Sequence, residues 1–366
     1  MNLLLLLFIL CAVFQLTYLL ILYLAIHRKS SPKNKNNTQA SVTIIICVKD
    51  DYQILEKNLP VLLAQDYDNY DILIVDDGSA IPIKNEHKKI SILRINADEK
   101  IGKGKKYALH KGIHSVTSDY VLLTDADCCP TSSNWIQEML NCTDEEKEIV
   151  LGISPYYQHQ SFLSAVITYE TALTAMQYIG WAILKMPYMS VGRNVLYKTS
   201  LAQRKIWEKQ ELEVASGDDD LMIQSLATKE NTEVCLTTDS YTYSAPQPTF
   251  TKYIQQKMRH FESGNLYALH HRLVLGGFLF TKLLFYCLML LFTLFHLLQF
   301  GKMDMEFVLG FFGFYVVCLT SIQYFLNKRL QLIKLWIFTI FLDIFYCFFT
   351  VIIGSLSLIN PTKKWK

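Results

Sequence analysis

Tyr120-Val121-Leu122-Leu123-Thr124-Asp125-Ala126-Asp127 decides the fold class of this 366-residue chain. A short, unbroken apolar run is the mark of a strand buried on both faces, and this one stops at two carboxylates one residue apart. The same arrangement occurs upstream, where Ile72-Leu73-Ile74-Val75 runs into Asp76-Asp77-Gly78-Ser79. Residues 42–48 and 90–95 read as two further buried strands. Between them, residues 51–65 carry Ile54, Leu55, Leu59, Leu62 and Leu63 at helical spacing, and residues 103–114 suit a second helix. Strands alternating with helices predict an α/β domain with a mostly parallel sheet covered on both faces. In such sheets ligands bind beyond the carboxyl ends of the strands, where both acidic clusters fall.

Outward from this domain the composition changes. Apolar residues make up 51% of the chain and the mean hydropathy is +0.20, with the excess concentrated at the two ends. Residues 1–26 form an uncharged apolar run long enough for a membrane helix and too long for a signal-peptide core. The basic linker of residues 27–40, opening His27-Arg28-Lys29, marks a cytoplasmic flank, so the soluble domain of residues 41–248 is expected inside the cell. Residues 249–271 read as an amphipathic interfacial helix through Phe250, Tyr253, Ile254, Met258 and Phe261. Residues 272–360 hold three more apolar runs, 273–300, 307–325 and 332–358. Asn327-Lys328-Arg329 is basic and expected inside. The basic tail of residues 361–366 also favours the inside, yet a simple fourth crossing puts it outside; a re-entrant or partly interfacial last run would remove the conflict. A net charge of +2 makes no case for a nucleic-acid partner. Nine irregularly spaced cysteines without a CxxC pair fit reduced thiols better than a disulfide framework or a zinc site.

Several residues could carry chemistry. Two carboxylates at a strand end, Asp125 and Asp127, can share a hard divalent cation that bridges to substrate phosphates; the plainer reading is a polar loop. Asp76 and Asp77 suit a ribose or base, although Asp-Gly also marks ordinary turns. Lys100-Ile101-Gly102-Lys103-Gly104-Lys105-Lys106 offers backbone N–H groups and cations to a phosphate, or is merely a solvated turn. It lacks the Walker spacing. Ser216-Gly217-Asp218-Asp219-Asp220 precedes a helical pattern, where an acid commonly caps; three in a row repel, which raises at least one pKa and favours a general base.

Together these residues resemble the processive-type branch of glycosyltransferase family 2, which includes cellulose, chitin and hyaluronan synthases and many smaller bacterial membrane enzymes. The likeness spans residues 42 to about 260. The family's D, D, D, QxxRW order reads here as Asp76-Asp77, Asp125-Ala126-Asp127, Gly217-Asp218-Asp219 and Gln256-Lys257-Met258-Arg259-His260, and Gly192-Arg193-Asn194 looks like its acceptor-side segment. The resemblance implies a GT-A fold. It implies that Asp76 and Asp77 contact the nucleotide, that Lys103 or Lys106 assists at the diphosphate, and that Asp125 and Asp127 hold Mg²⁺ or Mn²⁺. It further implies that Asp218 or Asp219 is the base, that Asn194 lies on the acceptor side, and that Gln256 and Arg259 shape the site near acceptor and diphosphate. Three departures stand out: Lys49-Asp50-Asp51 replaces the usual Arg-Asn-Glu, Asp220 adds a third acid, and His260 replaces the final Trp. The expected activity is inverting transfer from a nucleotide-sugar, with UDP as the expected nucleotide, to a lipid or glycan acceptor of the cell envelope. The expected setting is a bacterial inner membrane and its lipids. A processive polysaccharide synthase and a catalytically inactive nucleotide-sugar-binding protein are the alternatives.

Overall fold

The structure, a computed structural model, describes residues 2–30, 39–96, 98–298, 305–332 and 338–359. Most of the basic linker and the basic tail read from the sequence lie outside these residues. The elements in order are α1 (Asn2–Arg28), β1 (Val42–Val48), α2 (Tyr52–Leu63), β2 (Tyr70–Asp76), β3 (Ile90–Arg94), α3 (Lys106–Ser115), β4 (Tyr120–Asp125), β5 (Cys128–Pro130), α4 (Trp135–Leu140) and β6 (Ile149–Leu151). There follow α5 (Phe162–Ile183), β7 (Val195–Lys198), the short α6 (Thr199–Ala202) and α7 (Lys209–Glu213), α8 (Asp220–Leu226), β8 (Thr232–Val234), β9 (Thr242–Ser244), α9 (Phe250–Gly264), α10 (Leu269–Leu297), α11 (Met305–Leu330) and α12 (Thr339–Ile359).

Seven strands form one sheet in the order β3-β2-β1-β4-β7-β6-β8. The β3-β2-β1-β4 half is parallel, as the sequence predicts. The short β7 runs antiparallel to β4 and to β6, a departure that a four-residue strand does not announce in its sequence. Val48 pairs with Asp76 and Cys47 with Asp125. This register brings the carboxyl ends of β2 and β4 to one edge, either side of β1.

Side chains alternate across each strand, so the apolar strands feed two cores. Ile44, Ile46 and Val48 pack with Leu55, Leu59 and Trp135 from α2 and α4. On the other face, Ile45, Leu73 and Leu123 join α3, α5 and α8, and this core continues without a break into α1, α10, α11 and α12. Among the described residues, four helices are long and apolar enough to cross a membrane: α1, α10, α11 and α12. One end of their bundle docks on the α/β domain. There Lys29 Nζ pairs with Glu233 at 2.7 Å, Arg329 donates to the Lys29 carbonyl at 2.9 Å, and Tyr241 donates to the Leu330 carbonyl at 3.0 Å. All nine cysteines are free thiols.

Candidate active site

The acidic end of β4 opens into a cavity of about 250 Å³. Its walls come from the loops after β4, β6 and β9, from the segment that leads into β7, from the turn before α8, and from one face each of α5 and α9.

Lys105 sits at the centre. Its Nζ lies 2.7 Å from Asp125 Oδ1 and 3.0 Å from Asp218 Oδ2, tying the end of β4 to the acidic triplet. The local chain explains why this lysine, and not its neighbours, faces the acids. Gly102 and Gly104 adopt φ of +79° and +74°, conformations that side chains rarely tolerate, and α3 therefore begins only at Lys106. A Cβ on Gly104 would sit 2.2 Å from the Ala215 carbonyl oxygen. The tight turn seats the loop against residues 212–216, with Lys103 N donating to the Leu212 carbonyl at 2.8 Å. The Lys103 side chain is left exposed. Lys106 is buried and donates to the carbonyls of Val214 (2.9 Å) and Ser216 (2.6 Å). Burial lowers its pKa, with Asp218 and Asp219 opposing. The sequence singles out Lys103 and Lys106 as the phosphate cations; the structure puts Lys105 in the cavity.

Asp125, Asp127 and Cys128 bring a carboxylate oxygen each and one sulfur within 4.8 Å of one another. The two carboxylates are hard oxygen donors suited to Mg²⁺ or Mn²⁺. Cys128 is fully buried, lies 3.6 Å from Asp127 Oδ1 as a thiol donor, and is held protonated chiefly by burial. The donor set therefore fits a hard cation on Asp125 and Asp127, with the thiol behind them. Asp127 is exposed at the rim. Burial works against the Asp125 charge, but Lys105 and Arg193 hold its pKa below the ordinary value.

The acidic triplet divides into three environments. Asp218 is paired with Lys105. Asp219 caps α8, its Oδ1 accepting from Asp220 N (3.0 Å) and its Oδ2 from Gly192 N (2.6 Å). Burial, then the neighbouring Asp218 charge, push its pKa up to about 6. Asp220 is buried, accepts a hydrogen bond from the Tyr267 hydroxyl at 2.5 Å, and is pushed well above the carboxylate range by burial and by Asp219.

At the β2 end, Asp76 is fully buried. It accepts from Ser79 N at 2.9 Å and from Arg94 at 2.5 Å. Asp77 pairs with Lys100 through Oδ2, while its Oδ1 is buried with no hydrogen-bond partner among the described residues. Burial raises the Asp77 pKa and Lys100 opposes the rise. Asp76 therefore shapes the loop, and Asp77 keeps an acceptor in reserve.

Asn194 is fully buried. It accepts from Trp135 Nε1 (3.0 Å) and donates to the carbonyls of Ile153 (2.9 Å) and Ser240 (2.7 Å). This joins three loops behind the cavity. Its neighbour Arg193 lines the cavity, donating to Ser244 Oγ (2.7 Å) and the Ser154 carbonyl (3.0 Å) and lying 4.2 Å over the Tyr156 ring. Gln256, Arg259 and His260 line the α9 wall, Gln256 at 3.5 Å from the Tyr156 hydroxyl. The sequence does not single out Lys105, Arg193 or the buried Glu170–Lys257 pair on α5 and α9. Lys105 and Arg193 lie inside motifs already quoted, and side-chain direction, not spacing, sets them apart.

Comparison with known proteins follows the same lines. A family model described as "Glycosyl transferase family 2" matches residues 43–193, and one described as "Glycosyl transferase family group 2" matches residues 120–353. No curated protein matches the chain in sequence. Among solved structures, mannosyltransferase PcManGT from Pyrobaculum calidifontis, in complex with GDP-Man and Mn²⁺, aligns with a TM-score of 0.59 at 14% identity, over 88% of this chain and 96% of that one. That likeness is one of fold, a GT-A-type sheet. TarS of S. aureus aligns at 0.38 and 16% identity over 60% of this chain and 39% of that one. Glucosyl-3-phosphoglycerate synthase of Mycobacterium tuberculosis, bound to Mn²⁺, UDP and phosphoglyceric acid, aligns at 0.39 and 11% over 61% and 77%.

Proposed function

The chain belongs to glycosyl transferase family group 2, and from that premise we propose that it moves a single sugar, with inversion, from a nucleotide-sugar to a lipid or cell-envelope acceptor at the cytosolic face of a membrane. The observation that carries this reading is the convergence of Asp125, Asp127, Asp218 and Asp219 around Lys105 in one cavity beside α5. Asp125 and Asp127 are the residues to hold Mg²⁺ or Mn²⁺, the latter being the ion bound with GDP-Man in the Pyrobaculum enzyme. When bound, the ion supplies Lewis-acid stabilisation of the leaving diphosphate.

The residues of the chain do the rest. Asp77, with its unpaired oxygen, takes a ribose or base donor, and Asp76 holds the loop that presents it. Lys105 and Arg193 supply positive charge near the diphosphate. Asp219 is the base. With a pKa of about 6 it is ionised at neutral pH yet still basic enough to take a proton. The acceptor hydroxyl gives its proton to Asp219 as its oxygen bonds to the anomeric carbon. The bond from that carbon to the diphosphate breaks on the opposite face, and the electron pair leaves with the diphosphate. Asp218, tied to Lys105, keeps the Asp219 pKa high. Gln256 and Arg259 orient the acceptor. Lys106 and Asn194 support the site from behind, and Lys103 stays exposed outside the cavity lining.

The docked end of the bundle carries His27, Arg28, Lys29, Arg272, Lys328 and Arg329. Positive charge collects on the cytoplasmic side of membrane helices, which supports a cytosolic catalytic domain. The full chain in nanodiscs, offered a panel of nucleotide-sugars with Mn²⁺ or Mg²⁺ and membrane lipid extract, tests the reading. Release of nucleoside diphosphate, its loss on chelation, and an inverted anomeric centre in the product are expected. Chelator-resistant turnover or a retained centre would overturn the mechanism, and no turnover with any donor would overturn the activity.

A further inference from the structure

The four apolar helices divide into three and one. α1, α10 and α11 form a bundle: Phe8 stacks on Phe285 with centroids 4.6 Å apart, and the Gln15 carboxamide accepts from the Tyr315 hydroxyl (2.9 Å) and donates to the Thr281 carbonyl (3.2 Å). The catalytic domain meets α1 of this bundle at Tyr18, beside Phe278 of α10. There Trp181 of α5 donates to the Tyr18 hydroxyl at 3.0 Å, and Tyr18 stacks on Phe278 at 4.4 Å. Beyond that level, residues 2–17, 279–297 and 305–322 extend for about 24–28 Å at about 1.5 Å per residue. That is close to the roughly 30 Å of a bilayer core.

α12 meets the bundle near this boundary. Asp343 pairs with Lys282 and accepts from Tyr286, residues about 6–12 Å past Phe278 on α10, and it also accepts from Tyr169 on α5. A fourth crossing would carry the rest of α12 away from the catalytic domain, toward the far ends of α1 and α10. It runs along the domain instead. Phe349 stacks on Tyr253 at 5.4 Å and 10°, and a Cβ built on Gly354 would lie 3.8 Å from the Phe261 ring. Both rings belong to α9, whose Gln256, Arg259 and His260 line the charged cavity. A helix with that face cannot lie in hydrocarbon, so its partner α12 is held at the same level.

We infer that α12 does not cross the bilayer: paired with α9, it lies in the leaflet next to the catalytic domain, and the acyl chains of that leaflet cover its outer face. Phe341, Phe348, Ile352, Leu356 and Ile359 are exposed at helical spacing, a single apolar face joined through Asp343 to the lipid-facing bundle. The inference rests on the membrane reading above. It makes three crossings, and it returns the chain end to the side that the positive charges of residues 361–366 favour.

Two measurements on the full chain test it. An epitope inserted between Lys302 and Met303 and another after Lys366 are probed with protease in sealed vesicles. The terminal epitope should be protected or cleaved together with the catalytic domain, opposite to the 302/303 epitope. A terminal epitope on the 302/303 side overturns the inference and leaves the membrane reading standing. A 302/303 epitope on the catalytic side takes down both. Separately, Phe341→Trp, Phe348→Trp and Leu356→Trp are compared with the parent for quenching by lipids brominated near the headgroup or near the chain end. All three added signals should be quenched more by the shallow bromine; deeper quenching of Phe348→Trp or Leu356→Trp, as a spanning or re-entrant helix requires, overturns it.

Discussion

Two acid–lysine clusters flank α5, and they differ in what is left unpaired. Next to the bundle, Asp343 is 1% exposed, and both its oxygens are taken, by Lys282, Tyr169 and Tyr286. In the cavity on the other side, Asp127 faces solvent, Asp220 keeps a buried oxygen without a hydrogen-bond partner among the described residues, as Asp77 does at the β2 end, and Lys105 is shared between two acids. A closed network fixes a structure. An open one holds charge that a ligand has yet to satisfy. The same residue types therefore serve anchoring in one place and chemistry in the other.

The comparison breaks first at Asp343. Asp343→Ala leaves the Lys282 ammonium buried without its partner and should cost about 3–5 kcal/mol of stability, seen as a lower unfolding temperature of the detergent-solubilised chain. The double change Lys282→Met with Asp343→Leu should recover only part of it: it removes the buried unpaired ammonium but still leaves the Tyr169 and Tyr286 hydroxyls without their acceptor. A single mutant as stable as the parent would mean that the node is not closed.

Asp127→Asn should behave in the opposite way. Its unfolding temperature should stay near the parent's, while transfer falls on the order of a hundredfold to a thousandfold, the scale of losing one preorganised electrostatic partner. Mn²⁺ affinity, followed by electron paramagnetic resonance, should fall with it. Loss of stability instead of turnover would put this carboxylate in the anchoring class.

A smaller effect sharpens the role of the triplet. The acid limb of the rate profile should lie near pH 6, because Asp219 must be ionised to accept a proton. Asp218→Asn removes the negative neighbour that raises the Asp219 pKa, so the limb should move to lower pH. Lys105→Met removes a cation that lowers it, so the limb should move up. Rate profiles of the two variants that shift in the same direction would exclude Asp219 as the titrating base.

Asp220→Asn should do least. Burial and the Asp219 charge already disfavour the ionised form of that carboxyl, against the Tyr267 hydroxyl, and the amide is a neutral isostere. Turnover within a few-fold of the parent is expected in a steady-state assay; a loss as large as that of Asp127→Asn would assign the proton-accepting role to the wrong member of the triplet.

The fold was legible where burial is continuous. Residues 42–48, 72–75 and 120–124 are apolar on both faces because both faces are covered, and the register then puts Asp76 and Asp125 at one edge. The four apolar runs were equally plain. β7 was not, because four residues carry no periodicity that separates antiparallel from parallel pairing. Within the site, the acids could be read because each follows a strand or precedes a helix. Lys105 could not be told from Lys103 and Lys106, since the phase of the turn depends on two left-handed glycines and on the chain they pack against. Asn194 looked like a ligand group and is a joint between loops, a role set by Trp135 and by carbonyls distant in sequence. The path of α12 is left open by the conflict between the basic tail and a fourth crossing: length and hydropathy measure what a helix can enter, while its direction comes from Tyr253 and Phe261 on another helix.

The glycine turn at residues 102–104 has a consequence for how this enzyme can change. Because Gly104 abuts the Ala215 carbonyl and Lys106 is pinned to Val214 and Ser216, the stretch that presents Lys105 and the stretch that presents Asp218 form a single mechanical part, although more than a hundred positions separate them along the chain. Neither can be lengthened or transplanted alone. A chimera that takes one of these segments from a relative must take the other, and directed evolution of this scaffold should find its tolerated insertions elsewhere.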